Sequence, residues 1–193
     1  MKIPRRAVAL FVLGVFSLTP ALASAQSAKE WVDRGLEYGK KREWEKAIKC
    51  YTKAISIKTN YALAYNNRGW VYYLIKKYDK ALEDVTKALI YANADDKYVL
   101  SLSYDSRSNI YRELGRYSEA MEDINRSISI KPDYWFAYYT RGLNYIAMGK
   151  RSRGLEDIKK ACDMGVKEAC AAYKRYKYKP KPKKPKEEEP TLL

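Results

Sequence analysis

Four times along the chain an aromatic residue is followed, after two positions, by Arg and a small residue, and after two more by Tyr. The copies are Trp31, Arg34, Gly35, Tyr38; Tyr65, Arg68, Gly69, Tyr72; Tyr104, Arg107, Ser108, Tyr111; and Tyr138, Arg141, Gly142, Tyr145. These positions stand at i, i+3, i+4 and i+7, the period of one helical face. A second helical pattern follows each copy: Ala47, Tyr51, Ala54; Ala81, Val85, Ala88; Ala120, Ile124, Ser127; Gly154, Ile158, Ala161. The pattern predicts pairs of antiparallel helices. Small residues such as Gly35 and Ala47, or Gly69 and Ala81, mark the crossings where backbones must come close, and the aromatics fill the wedges between adjacent hairpins. Such a hairpin cannot bury its apolar face alone, so neighbours must stack.

The closing tyrosines fall 34, 39 and 34 residues apart. With the paired skeletons, this period resembles the tetratricopeptide repeat over about residues 28–165. The resemblance implies an all-α, right-handed αα-hairpin solenoid of about four repeats, at residues 28–61, 62–95, 101–134 and 135–165. Arg stands where the family carries Leu in every copy, and the family's closing Pro survives only as Pro132. Five extra residues near positions 96–100 predict a longer helix or loop before the third repeat. Residues 166–178 read as a helix capping the last hairpin, as solenoid ends require. The lysine- and proline-rich stretch at 179–193 predicts an extended, disordered tail.

An Arg on an apolar face needs a carboxylate. Sixteen residues after Arg68, Arg107 and Arg141 stand Asp84, Asp123 and Asp157; after Arg34 the place is held by Cys50. The spacing predicts Arg–Asp bridges within or between hairpins, with a ligand role for the arginines as the competing reading. In the family, the first helix of each hairpin lines an inner groove. That resemblance assigns to the groove Val32, Leu36 and Lys40; Asn66, Trp70, Tyr73 and Leu74; Asp105, Asn109, Arg112 and Glu113; and Phe136, Tyr139, Leu143 and Ile146. A groove with aromatic anchors and a few polar groups suits an extended peptide or a partner helix. The clamp of two Lys, two Asn and one Arg that relatives use for carboxylate-ended chaperone tails is absent: Asn67 fits it, but Val32, Leu36, Leu102 and Ser106 occupy the other places.

Cys162 and Cys170 flank Gly165 in an Ala-Cys…Gly…Ala-Cys arrangement. It is similar to an element of secreted cysteine-rich αα-repeat proteins in which the two cysteines clamp adjacent helices. The resemblance implies a structural disulfide, against two buried thiols, and leaves Cys50 as a buried small hydrophobe.

Composition removes several chemistries. The chain has no histidine, which excludes Ser–His and Cys–His nucleophile systems and most zinc sites. Ser-x-x-Lys, expected of a penicillin-interacting hydrolase, occurs nowhere. These features predict a scaffold that is not an enzyme, needs no cofactor or metal, and binds a protein or peptide. The formal charge is +15, with three net positive charges in residues 1–25 and five from Lys174 onward. This keeps a second reading open: a basic surface and tail that bind a polyanion such as anionic lipid, wall polymer or nucleic acid.

The first 25 residues read as a secretory signal peptide. Lys2, Arg5 and Arg6 precede an apolar run at 7–18, and Ala23-Ser24-Ala25 forms a small-residue cleavage site. The run is short of the roughly twenty residues that span a bilayer. The expectation is a soluble protein in a bacterial periplasm or outside the cell, where disulfides persist. The exported protein should begin at Gln26 and carry a 162–170 linked peptide with Cys50 free. N-terminal sequencing and non-reducing peptide mapping check both; a retained Met1, or three thiols that all alkylate without reductant, would contradict them.

Overall fold

In a computed structural model the described residues are 27–178, and among them every regular element is a helix. The elements are α1 (Ala28–Lys40), α2 (Trp44–Ile57), α3 (Ala62–Leu74), α4 (Tyr78–Tyr91), α5 (Lys97–Glu113), α6 (Tyr117–Ile130), α7 (Trp135–Ala147), α8 (Arg151–Asp163) and α9 (Lys167–Tyr178). Consecutive helices pair into four hairpins, α1/α2 to α7/α8, and α9 packs on α8. First helices also touch one another, α1 with α3, α3 with α5 and α5 with α7, and form the inner layer. The second helices lie outside them. The signal-peptide and tail readings fall outside the described residues.

Each hairpin turn is closed the same way. The amide at the second residue past the helix cap donates to the carbonyl of the repeat's closing tyrosine: Glu43 to Tyr38, Lys77 to Tyr72, Arg116 to Tyr111 and Lys150 to Tyr145. Such a closure forces the residue between into the left-handed region. Gly115 and Gly149 take it with φ of 73° and 75°, whereas Lys76 takes it at 61° and bears the steric cost of its Cβ.

The crossings are as close as the small residues predict. A Cβ at Gly69 would stand 2.7 Å from a Val85 methyl carbon and 3.1 Å from the Ala81 carbonyl. At Gly142 the facing atom is the carbonyl of Gly154, at 2.7 Å. The third hairpin has Ser108 instead, and its hydroxyl donates to the Ala120 carbonyl at 2.7 Å. The core then runs along the array as linked clusters. Val32, Ala47, Tyr51 and Ala64 join α1, α2 and α3; Val85 and Ile110 join α4 to α5; Ile124 and Ala137 join α6 to α7; Tyr138, Ala161 and Ala169 join α7, α8 and α9.

The extra residues before the third repeat lengthen a helix. α5 has 17 residues against 13 in α1, α3 and α7, and Asp96 caps it by accepting from the Val99 amide at 3.0 Å. Its buried face is polar. The Ser101 hydroxyl lies 2.7 Å from that of Ser127 on α6, and Asn144 on α7 donates to the Ser108 hydroxyl at 2.9 Å.

The arginines lie within hairpins and clasp the aspartates in a two-pronged fork. Arg68 donates from Nε and Nη2 to Asp84 at 2.7 and 2.8 Å, Arg107 to Asp123 at 2.6 and 2.8 Å, and Arg141 to Asp157 at 2.7 and 2.9 Å. Two of them also reach back one hairpin, Arg68 to the Thr52 hydroxyl and Arg141 to the Asn125 side-chain carbonyl. In the first hairpin, where Cys50 replaces the aspartate, Arg34 keeps only the contact that the other three also make, lying over its repeat's first aromatic, Trp31, 5.0 Å from the centroid. With these donors engaged, the structure supports the structural reading of the fork arginines over a ligand role.

Cys162 and Cys170 are joined across the α8–α9 turn, with Cα atoms 4.5 Å apart, and Cys50 is free and buried. Burial pushes the Cys50 thiol above its ordinary pKa.

Removing one partner of a buried ion pair strands the other charge. Asp123 is 3% exposed. Arg107→Met should therefore cost about 3 kcal/mol or more, and adding Asp123→Leu should recover most of the loss. Urea unfolding of both variants checks this; a double variant no more stable than the single would show that the loss does not come from the stranded carboxylate.

Candidate functional site

The inner layer holds a cavity of about 390 Å³ between α3, α5 and α7. From α3 come Asn66, Asn67 and Trp70, and from α5 come Tyr98, Leu102, Asp105, Ser106 and Asn109. Tyr134, just before α7, and Phe136, Tyr139 and Thr140 on α7 complete it. The α5 residues at 98, 102, 105, 106 and 109 make one helical stripe. The wall is aromatic and the floor is polar.

Six of the sequence-assigned residues meet here: Asn66, Trp70, Asp105, Asn109, Phe136 and Tyr139. Phe136 is 44% exposed at the rim and stacks on Trp135, centroids 3.5 Å apart. Trp70 stacks on Tyr73 at 4.8 Å. Tyr139 is half-buried and packs against the cluster of Tyr138, Ala161 and Ala169, so it supports the fold as well as the wall. Asn109 bridges α5 to α7, its amide donating to the Asp105 carbonyl at 3.0 Å and the Thr140 hydroxyl at 3.2 Å.

The remaining assigned residues stand elsewhere. Tyr73 turns toward the next hairpin, where Arg112 donates to its hydroxyl at 3.4 Å and to the Asn144 side-chain carbonyl at 3.3 Å. Arg112 is thus a tie between α3, α5 and α7, and it also meets Glu113 at 3.3 Å. Leu143 is half-buried outside the cavity lining. Leu74, 42% exposed, lines a smaller hollow with Leu36, Lys40 and Trp70. Val32 is in the core, and Ile146 packs at the α7–α8 crossing, where a Cβ on Gly154 would strike it. The helical period identifies a face; it does not resolve which edge of that face a neighbouring helix covers.

Tyr98, Leu102, Ser106, Tyr134 and Thr140 line the cavity without having been assigned to it. Tyr98 sits in the extra turn of α5 and meets Tyr134 edge-on at 6.3 Å; Tyr134 in turn lies 5.6 Å from Phe136. The available signal was the insertion itself, which adds one turn of wall to one repeat.

The electrostatics centre on Asp105, 5% exposed. Burial raises its carboxyl to about 6, although a hydrogen bond from Thr140 and the charge of Arg112 pull the other way. One of its oxygens, Oδ1, has no hydrogen-bond partner, and neither has the side-chain carbonyl of Asn66, which is 1% exposed. Burial raises the Tyr134 hydroxyl too, with the neighbouring Asp105 charge adding to it. Among the described residues no group of three or more His, Cys, Asp or Glu is placed to hold a metal ion.

Comparison with known proteins gives this fold a family. Family models described as TPR repeat and tetratricopeptide repeat match residues 35–76, 62–91 and 102–134. The fourth hairpin lies outside those matches yet repeats the same Arg–Asp fork. The rat serine/threonine-protein phosphatase 5 is 34% identical over 80 residues, 42% of this chain, and the chain spans 15% of that protein's length. The second TPR domain of human RPAP3, solved in complex with the HSP70 peptide SGPTIEEVD, is 28% identical with a TM-score of 0.52, covering 61% of this chain and 98% of that one. TTC0263, a TPR protein of Thermus thermophilus, is 16% identical and shares the fold with a TM-score of 0.69 over 78% of this chain and 81% of its own. Repeat spacing, matched repeats and shared architecture agree, and the chain is a tetratricopeptide-repeat protein.

Proposed function

We propose that this chain is an exported, non-catalytic scaffold that holds an extended peptide or partner helix in the groove between α3, α5 and α7. A protein-interaction scaffold is the general role of its repeats; the groove and the location are the finer parts. The observation that carries the groove reading is an aromatic wall open to solvent above unpaired polar atoms, since aromatic anchors over a few polar groups dominate peptide recognition. The RPAP3 domain binds a peptide whose end, EEVD, is acidic. The groove here has Asp105 and neither Lys nor Arg among its lining residues, so a different ligand charge is called for. The phosphatase resemblance covers only 15% of that enzyme and brings no catalytic residues with it. Export rests on the leader-like residues 1–25, and oxidation of the Cys162–Cys170 pair fits an oxidising compartment.

Trp70→Ala combined with Phe136→Ala should remove the partner while leaving the thermal melt nearly unchanged, since Phe136 is a rim residue and truncating an anchor typically costs about 2 kcal/mol of binding. Gly142→Leu should abolish both, because the Gly154 carbonyl occupies the space its side chain needs. Pull-down and melting of the three proteins decide it: a folded double variant that still binds would move the partner to the outer helices or the basic tail. A salt series separates that last case, since polyanion binding weakens steeply with ionic strength.

A further inference from the structure

Asp105 differs from the other buried aspartates of the array. Asp84, Asp123 and Asp157 each meet an arginine fork, whereas Asp105 keeps an oxygen unpartnered at the floor of an open groove. Asn66 offers a second unpartnered acceptor in the same lining. An ionised carboxylate and an amide carbonyl are both acceptors, so neither can satisfy the other; the missing component is a donor. Leaving such groups unpaired is costly unless a ligand supplies what they lack. Arg112 is not that ligand, because its guanidinium is engaged with Tyr73, Asn144 and Glu113. A lysine ammonium carries three donors and one positive charge, the chemistry that both kinds of acceptor lack.

Above this floor the walls are Trp70, Tyr98, Tyr134, Phe136 and Tyr139. Aromatic-lined grooves accept the pyrrolidine rings of a polyproline helix. The chemistry therefore asks for an extended segment in which proline and lysine alternate. The chain contains one at 179–186, Lys-Pro-Lys-Pro-Lys-Lys-Pro-Lys. It begins directly after α9, and the last turn of that helix lies on the groove's side: Arg175 and Tyr176 act electrostatically on the Tyr139 hydroxyl. Arg151 on α8 fixes that turn by donating to the Tyr176 carbonyl. In a polyproline helix eight residues reach about 25 Å.

We propose that the Asp105–Asn66 floor is a seat for a lysine side chain, and that its occupant is this chain's own segment 179–186, docked back into the groove. This rests on reading the groove as a peptide site and identifies what fills it before a partner does. A tethered segment needs little intrinsic affinity, because the linkage supplies a high effective concentration. A partner must then displace it. Docking also acquires a pH dependence. Below about 6 the Asp105 carboxyl holds its proton and offers no charge, so the ammonium is attracted only as pH rises through that value. The other titratable groups facing it are the Arg112 guanidinium and the phenols of Tyr98, Tyr134 and Tyr139.

The test uses the full chain carrying Glu188→Cys with a nitroxide label, placed just beyond the lysine–proline run. Cys50 is buried and Cys162 is joined to Cys170, so the label attaches at one place. At neutral pH the Trp70 indole and Phe136 amide resonances should lose most of their intensity through paramagnetic broadening. The loss should disappear with Asp105→Asn and on acidification, without chemical-shift changes elsewhere that would signal unfolding. Broadening absent, spread over the outer helices, or unchanged by Asp105→Asn overturns the proposal. Broadening that grows with protein concentration also overturns it, in favour of a tail from a second copy. If broadening is absent while Trp70→Ala with Phe136→Ala still loses the partner, the groove keeps its role and only the occupant is wrong.

Discussion

Everything in the array depends on holding two helices at one crossing distance, and the Arg–Asp fork sets that distance from the side. Glycine contact alone allows helices to slide, because a smooth surface has many registers. A planar guanidinium gripping both oxygens of a carboxylate allows one. In three successive hairpins the fork joins first helix to second, and Arg68 and Arg141 extend it to the hairpin before. Its contribution is geometric more than energetic, since desolvating both charges offsets much of their attraction. Hairpins of one shape can then stack with one offset, and the inner layer acquires a defined curvature.

The third hairpin departs from its neighbours, and the departure falls at the groove. Its first helix is a turn longer, its buried face is largely serine, and it contributes Asp105. The serine hydroxyls at 101, 108 and 127 find partners across α5, α6 and α7, but Ser103, Asp105 and Asn66 keep unpaired atoms. A core built only for stability would not hold a carboxyl raised to about 6. Sites that break local rules at a cost in stability are where function is expected. Raising the folded-state pKa of Asp105 means the unfolded chain releases this proton first. Stability is then highest below the ordinary aspartate range and falls as pH rises through about 6, a loss that a bound cation would offset.

Much of this was readable from residue spacing. The helices, hairpins and crossings follow from patterns that repeat within one turn, and Arg68 and Asp84 declare their pairing by recurring at the same separation in later copies. The groove was half legible. Trp70 and Phe136 sit on the inner layer because the helical period puts them there, yet Tyr73 and Leu143 share that period and lie outside the cavity. Which residue reaches a cavity depends on rotation between neighbouring hairpins, a property of the stack and not of any one helix. Tyr98 was invisible because it lies in an insertion that the other copies lack, and Tyr134 because it precedes the helical face, although Tyr61 holds the same place before α3. Unpaired oxygens on Asp105 and Asn66 likewise emerge only when three helices are assembled.

The central claim is that the inner aromatic wall, and not the outer helices, is the working face of this scaffold. A photoreactive phenylalanine analogue placed at Phe136, compared with the same group at Ile90, tests it in intact cells. Ile90 is 69% exposed on the outer helix α4. The account predicts protein adducts from position 136, mapping to a short lysine-bearing segment of a partner or of the chain itself, and few from position 90. Adducts confined to position 90 would contradict it.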